Sequence, residues 1–286
     1  MAEPWFMWNG VDSRTMGVIV ETYPPIVYPA ERVETLTVPG KSGFLTRTEG
    51  EAVFDGYLKT IGIANRRVAN PQAIAAWLRG SGELILGSEP GFVYYGRVLK
   101  EASLDRAMPN GYHGSVAFMV QPFKGQVPPE SDITVTGEAT VFNPGDVPAK
   151  PRFSVTFTVA CTVAVGDRAM ALYNPVSATE ETVTIDCEAE MIIQDGILWP
   201  GRVYGAFPEI HKGNQTVRVK APEVYSASKT YQVYDLCKTD SQPTYLNLRV
   251  PYGEGDDGTE WLRIGDITGR TPAAAPAVLK PRWRWL

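Results

Sequence analysis

Phe153-Ser154-Val155-Thr156-Phe157-Thr158-Val159-Ala160-Cys161-Thr162-Val163-Ala164-Val165 alternates large apolar residues with small ones without a break. A period of two puts every second side chain on the same face of a β-strand. The intervening residues are Ser, Thr and Ala, so the expected strand has one buried face and one half-polar face. The run exceeds an ordinary strand of about 5–6 residues, which predicts a bend or bulge inside it. Downstream, Thr182–Asp186, Met191-Ile192-Ile193, Ile197-Leu198-Trp199 and Thr216–Val219 read as further strands. Gln194-Asp195-Gly196 supplies a tight hairpin, because Asp-Gly tolerates the positive φ that such turns need. Short strands, frequent turns and no helix describe a β-sandwich.

The first half is also strand-rich, with one helix. Trp5-Phe6-Met7-Trp8 runs into Asn9-Gly10, a hairpin signal. The opening lacks the basic start and apolar stretch of about 7–15 residues of a secretory signal, so its aromatic residues are expected in the fold or in an interface. Val18-Ile19-Val20 follows, then an alternating strand around Leu36-Thr37-Val38 that stops at Pro39-Gly40-Lys41-Ser42-Gly43. The helix is expected over Asn70–Gly80, with Asn70 as cap, Pro71 at the first turn and Gly80 as the left-handed stop. Ile74, Trp77 and Leu78 share one face of it and should lie on a sheet. Leu84-Ile85-Leu86, Tyr94–Leu99 and Val116–Phe123 complete the half. The aperiodic stretch Lys124–Asp132 marks the boundary between a domain at 1–130 and one at 131–286.

Residues 221–276 interrupt the sandwich rhythm with polar and Tyr-rich sequence, and strand character returns at Val278. This segment is expected to be an insertion that projects from the sandwich, with the final residues through Leu286 closing it. Tyr225, Tyr231, Tyr234, Tyr245 and Tyr252 offer large amphipathic contacts at low entropic cost. Together with Trp5, Phe6 and Trp8 they are the expected partner-interface residues.

The 286 residues carry a net charge of −5, which argues against a nucleic-acid-binding footprint. No apolar run approaches the roughly 20 residues of a membrane-spanning helix, so no membrane insertion is expected. Cys161, Cys187 and Cys237 lack metal-ligand spacing, and Cys161 and Cys187, in alternating apolar stretches, read as buried thiols. His113 and His211 fall in different domains, so a shared triad is not expected. Glu188 and Glu190 would share a face if their segment is a strand, which is the one candidate for paired-carboxylate chemistry; a solvated face explains them as well. Asp256-Asp257-Gly258-Thr259-Glu260 lacks the spaced ligands of a calcium loop and reads as a hairpin tip. Arg282 and Arg284 alternate with Trp283 and Trp285, as on a closing strand with tryptophans inward and arginines outward. No enzymatic activity, catalytic residue, metal or cofactor is expected.

The order of these pieces resembles one family. The aromatic opening into Asn9-Gly10-Val11-Asp12-Ser13 and Met16-Gly17-Val18 comes first, followed by Val38–Gly43, the helix closing on Trp77-Leu78, and Tyr94-Tyr95 leading to Val120-Gln121-Pro122-Phe123. Asn143-Pro144-Gly145 to Pro151, Thr184-Ile185-Asp186, Phe207-Pro208-Glu209-Ile210 with Gly213-Asn214, and Pro281-Arg282-Trp283-Arg284 follow. Over residues 1–220 and 277–286 the chain is similar to the distal tail (Dit) proteins of long, flexible-tailed bacteriophages. The resemblance implies a mainly β protein with an N-terminal β-rich belt domain and a C-terminal galectin-like β-sandwich, here carrying an insertion. It further implies a structural virion protein, a hexameric ring at the tail tip that joins the tail tube protein to the tail-tip hub protein. In the family, extensions of the outer domain hold receptor-binding or adsorption proteins. Such a protein is assembled in the host cytoplasm and resides in the virion. The alternative is a carbohydrate-binding β-sandwich module for host cell-wall or surface glycan, with Trp199 and Trp261 as the candidate stacking residues.

Overall fold

The computed structural model describes residues 4–47, 53–65, 71–99, 103–108, 111–176, 179–226, 228–239, 245–251, 259–268 and 270–286. They form two compact units, Met1–Pro129 with Arg284–Leu286, and Glu130–Trp283. The last three residues, expected in the second domain, therefore belong to the first unit.

Unit 1 contains β1 (Phe6–Trp8), β2 (Val11–Asp12), β3 (Ile19–Thr22), β4 (Glu34–Leu36), β5 (Leu45–Arg47), β6 (Tyr57–Asn65), α1 (Pro71–Trp77), β7 (Ser81–Leu86), β8 (Phe92–Val98), β9 (Ser103–Met108) and β10 (Gly111–Gln126). Its main sheet runs β2-β1-β7-β8-β10-β6-β3, with β9 also paired to β10. Asn9 and Gly10 take φ of 50° and 78°, so the β1–β2 turn is the left-handed pair that Asn-Gly favours. Gly80, with φ of 75°, sits just past the helix and leads into β7. Ile74 and Leu78 are buried in one core with Phe6, Trp8, Ile61, Leu84 and Phe118, and Trp77 packs against that core. Asn70, the expected cap, lies outside the described residues.

The C-terminus contributes to this unit. Lys124 and Trp285 exchange backbone hydrogen bonds of 3.0 and 3.1 Å, and the Trp285 ring meets Phe92 edge-on at 5.5 Å. Beside it, Tyr94 donates a 2.5 Å hydrogen bond to Glu89, and the Lys59 ammonium lies 4.4 Å from the Tyr94 ring. Burial pushes the Tyr57 hydroxyl up to about 12, with the Glu89 charge adding to it, and raises Tyr94 further.

Unit 2 contains β11 (Ile133–Val135), β12 (Glu138–Asn143), β13 (Arg152–Thr158), β14 (Ala160–Val165), β15 (Arg168–Tyr173), β16 (Glu180–Asp186), β17 (Met191–Gln194), β18 (Ile197–Leu198), β19 (Arg202–Gly205) and β20 (Gly213–Lys220). It continues with β21 (Glu223–Val224), β22 (Leu236–Lys238), β23 (Tyr245–Pro251), β24 (Thr259–Asp266), β25 (Ala273–Ala274) and β26 (Ala277–Lys280). One sheet runs β11-β26-β13-β16-β17-β18 with β25 on β13, and the other runs β12-β20-β14-β15-β19. The long alternating run is thus two strands in two sheets. The break is at Val159, whose φ of 70° is rare for a β-branched residue. Its side chain is fully buried, and that packing holds the strained backbone in place.

Every residue of β14 is buried, which corrects the expected half-polar outer face. The reason is a third layer. Within residues 221–276, the strands β21 to β24 form a separate sheet, β21-β22-β23-β24, while β25 returns to the sandwich on β13. Leu236, Leu246, Leu248, Ile264 and Ile267 from this region join Val159, Ala160, Ala171 and Tyr173 of the sandwich in one core. Small side chains on β14 and β15 let the added layer approach closely. Among the described residues, the strands of this segment are packed onto the sandwich and do not project as a free arm.

β26 pairs with β11 and β13, closing the sheet. Trp283 is buried, while Arg282 turns inward to bond Asp186 at 2.9 and 3.1 Å, where an outward arginine was expected. Arg152 donates to the same carboxylate. Burial pushes the Asp186 carboxyl up, but the bonds from Arg282 and Arg152 outweigh it and hold the group well below the usual carboxylate range.

Candidate interaction surfaces

In unit 1, every residue from 30 to 47 is exposed. Here β4 and β5 form an isolated two-stranded ribbon, with Leu36 opposite Leu45 and Thr35 opposite Thr46. Its base is joined by Arg32 N–H to Val53 O at 2.6 Å, Asp55 N–H to Ala30 O at 2.9 Å and an Arg32–Asp55 ion pair. The tip is the Pro39–Gly43 turn, where Gly40 and Gly43 have φ of 81° and 90°. Ile26, Tyr28 and Phe44 are 77%, 73% and 69% exposed, and Val33, Leu36, Val38 and Leu45 are exposed too. An isolated hairpin is marginal in water, and a bare apolar ribbon edge invites pairing with another chain. The strand expected around Leu36-Thr37-Val38 is found earlier, at Glu34–Leu36, and outside the main sheet; of the three residues only Leu36 belongs to it. The sequence signal for the ribbon was the match of that strand with Leu45-Thr46 across a Gly-rich turn.

The expected interface residues divide by position. Phe6 stacks on Trp77 at 5.4 Å, and Trp8 meets Phe118 at 4.9 Å and donates its indole N–H to Arg79 O at 3.3 Å. Both are fully buried and have no surface for a partner, because the hairpin they enter forms part of the core. Trp5 is half-buried, with the Arg14 guanidinium 5.2 Å from its ring and its backbone N–H donated to the Tyr23 hydroxyl at 2.9 Å.

In the third layer, Tyr225 stacks on Tyr231 at 5.8 Å, and Trp261 meets their rings edge-on at 5.7 and 5.3 Å. Tyr231 is mostly buried and its hydroxyl accepts the Ser226 N–H at 2.8 Å, whereas Tyr225 is 50% exposed. Tyr234 packs against the third-layer core, and Tyr245 lies under the Arg263 guanidinium at 3.6 Å. Tyr252 and most of the acidic turn at 256–260 lie outside the described residues. The structure thus brings together Tyr225, Tyr231 and Trp261, and leaves Tyr234 and Tyr245 apart from them.

Other candidate groups have structural placements. Glu188 and Glu190 sit in the turn between β16 and β17, not on a strand face; Glu188 pairs with Arg282 at 3.2 Å. Trp199, a proposed stacking residue, is buried against Phe157 and donates to the Glu181 carboxylate at 3.1 Å, so it cannot serve as an open platform. The three cysteines are buried free thiols, and burial pushes Cys187 up to about 12 and Cys237 up to about 11. Such thiols are poor nucleophiles. Among the described residues, no three His, Cys, Asp or Glu side chains gather as metal ligands.

No family model matches the sequence, and no curated protein matches it. A solved structure does match the fold. It is the crystal structure of SPP1 Dit (gp 19.1), described as a paradigm of the hub adsorption apparatus in phages that infect Gram-positive bacteria. The alignment has a TM-score of 0.62 and 15% identity, and covers 77% of this chain and 95% of the SPP1 chain. The chain has the fold of a phage Dit protein. The match spans nearly all of the SPP1 protein, so the likeness extends beyond a shared sandwich.

Proposed function

We propose that the chain is a structural protein of a phage tail tip, a hub that joins the tail tube to the tail-tip hub protein and the adsorption apparatus. The fold likeness to SPP1 Dit over 95% of that chain carries this reading. It gains support from the ribbon at residues 30–47, where apolar side chains lie on both strands of an uncovered hairpin. In a closed ring a ribbon of this kind covers the next copy and loses its open edges. We infer a homo-oligomer, a hexamer by analogy with the family. The two units take the roles of belt domain and outer galectin-like domain, with residence in the virion after assembly in the host cytoplasm. Tyr225, the exposed member of the third-layer aromatic cluster, is the candidate contact for an adsorption protein.

The test is the solution mass of the chain, measured by light scattering and native mass spectrometry across concentrations, beside a variant with residues 33–46 replaced by a short Gly-Ser turn. A six-copy species that falls to monomer in the variant is expected. A strict monomer at every concentration, or an unchanged oligomer in the variant, would refute the ring reading of the ribbon.

A further inference from the structure

A cleft of about 270 Å³ opens in unit 2 between β14, β20 and the segment that leads into β22. Arg218, Lys220, Lys229, Glu223, Asp235 and Thr162 are among its lining residues. Both carboxylates are engaged: Glu223 pairs with Lys229, and Asp235 accepts the Gln232 N–H at 2.7 Å. Arg218 and Lys220 differ. Both are half-buried, and among the described residues neither side chain has a hydrogen-bond or ion-pair partner. Glu138 stands opposite Arg218 in the register of β12 and β20, yet forms no ion pair with it. The ladder also pairs Lys220 with Thr162 and Arg218 with Ala164, which sets both cations on the face of β20 that adjoins the third layer.

Partly desolvating a cation without a counter-charge is unfavourable, and two such groups side by side add mutual repulsion. An anion drawn into the cleft would relieve both. The guanidinium offers a planar fork and the ammonium a mobile point charge, a combination suited to the several oxygens of a phosphate. Thr230 and Gln232 add hydroxyl and amide groups to the lining, Thr162 already donates its hydroxyl to Tyr234 O at 3.1 Å, and the free acceptor sites of Asp235 can accept hydrogen bonds from hydroxyls. The volume lies just under the range of drug-sized pockets, about 300–1,000 Å³, which suits one sugar or polyol unit. The two engaged carboxylates oppose a densely charged polyanion.

We propose that this cleft binds a phosphate ester on a small hydroxylated carrier, a sugar or polyol phosphate. The site is independent of the ring, since it is built within unit 2 alone.

The experiment is calorimetric titration of the full chain at low salt with glycerol 3-phosphate and glucose 1-phosphate, with inorganic phosphate, glycerol and glucose as separate arms. The esters are expected to bind, inorganic phosphate more weakly, and the neutral compounds not at all. Arg218→Gln and Lys220→Gln should each weaken ester binding by about tenfold or more. Lys212→Gln, which removes a cation paired with Asp146 and absent from the cleft lining, should leave binding unchanged. Glycerophosphoglycerol separates the sources: tighter binding of this diester assigns a chain-linked phosphate, and tighter binding of the monoester a free one. Absence of ester binding, or ester affinity unchanged in both cleft variants, would overturn the proposal. Inorganic phosphate binding as tightly as the esters would also overturn it, since the carrier would then contribute nothing. Should the variants fail to fold, amide shifts of the unaltered chain still locate the ligand. Shifts centred on β20 and residues 221–236 are expected, and shifts confined elsewhere would refute the site.

Discussion

Leu248→Ala tests whether the third layer is an integral part of unit 2. Leu248 on β23 is fully buried, in a core shared with Val159, Ala160, Ala171 and Tyr173 of the sandwich. Truncating a buried leucine costs about 2–5 kcal/mol, and the cost rises when neighbours cannot collapse into the gap. The sandwich side of this core includes Ala160 and Ala171, which have no reach to fill a gap, so about 3–5 kcal/mol is expected. In a unit the size of Glu130–Trp283, each kcal/mol moves the melting midpoint by roughly 2–4 °C. The unit 2 transition should therefore fall by about 6–20 °C. Differential scanning calorimetry reads the midpoint, and hydrogen exchange assigns the loss to a unit, since two units need not melt as one. The decisive signal is protection of the β14 and β15 amides, expected to weaken together with that of β22–β24. Val176→Ser, at a residue 88% exposed, serves as the control and should stay within about 0.5 kcal/mol. If protection is lost only in β22–β24 while β14 and β15 keep theirs, the layer unfolds by itself and the shared-core reasoning is refuted.

Three further outcomes are expected. Leu36→Asp combined with Leu45→Lys, at directly opposed ribbon positions, should abolish self-association yet move the monomer melting midpoint by no more than a few degrees, as judged by light scattering and calorimetry. Asp186 has a folded pKa below its unfolded value, so its stabilising effect is present above about pH 4 and is lost as the pH falls through the lower folded value. Asp186→Asn should cost about 2 kcal/mol at pH 7 and flatten the acid limb of the stability curve, measured by urea titration at several pH values. Tyr57 and Tyr94 have raised pKa values, so their effect is complete below about pH 10 and is lost as the pH climbs through their folded values, about 12 for Tyr57. An ultraviolet titration should show Tyr57 and Tyr94 ionising late, and Glu89→Gln should bring both to lower pH by removing a nearby negative charge.

The sequence by itself determined the local elements, because their causes are local. Asn9-Gly10 and Asp195-Gly196 form left-handed turns wherever they are placed, and Ile74 and Leu78 share a helix face by geometry alone. Alternation through 153–165 specified strand and inward face, and the excess length correctly required an interruption. The order of these elements was enough to resemble the Dit family, whose SPP1 member has the same fold. What tertiary structure decided was which surfaces are covered. Alternation cannot say what lies over the second face of a strand, so the half-polar face expected for β14 is in fact covered by the β21–β24 layer. The same blindness works in reverse at Leu36 and Leu45, which have the composition of a core and stand in solvent. The aromatic residues Phe6 and Trp8 suited either the fold or a contact surface, and long-range packing against Trp77 and Phe118 decided for the fold. Arg218 and Lys220 carry no local mark of a site in the sequence. Only the approach of a segment distant in the fold's layering encloses them, because burial and the absence of a counter-charge are properties of neighbours in space, which no local pattern encodes.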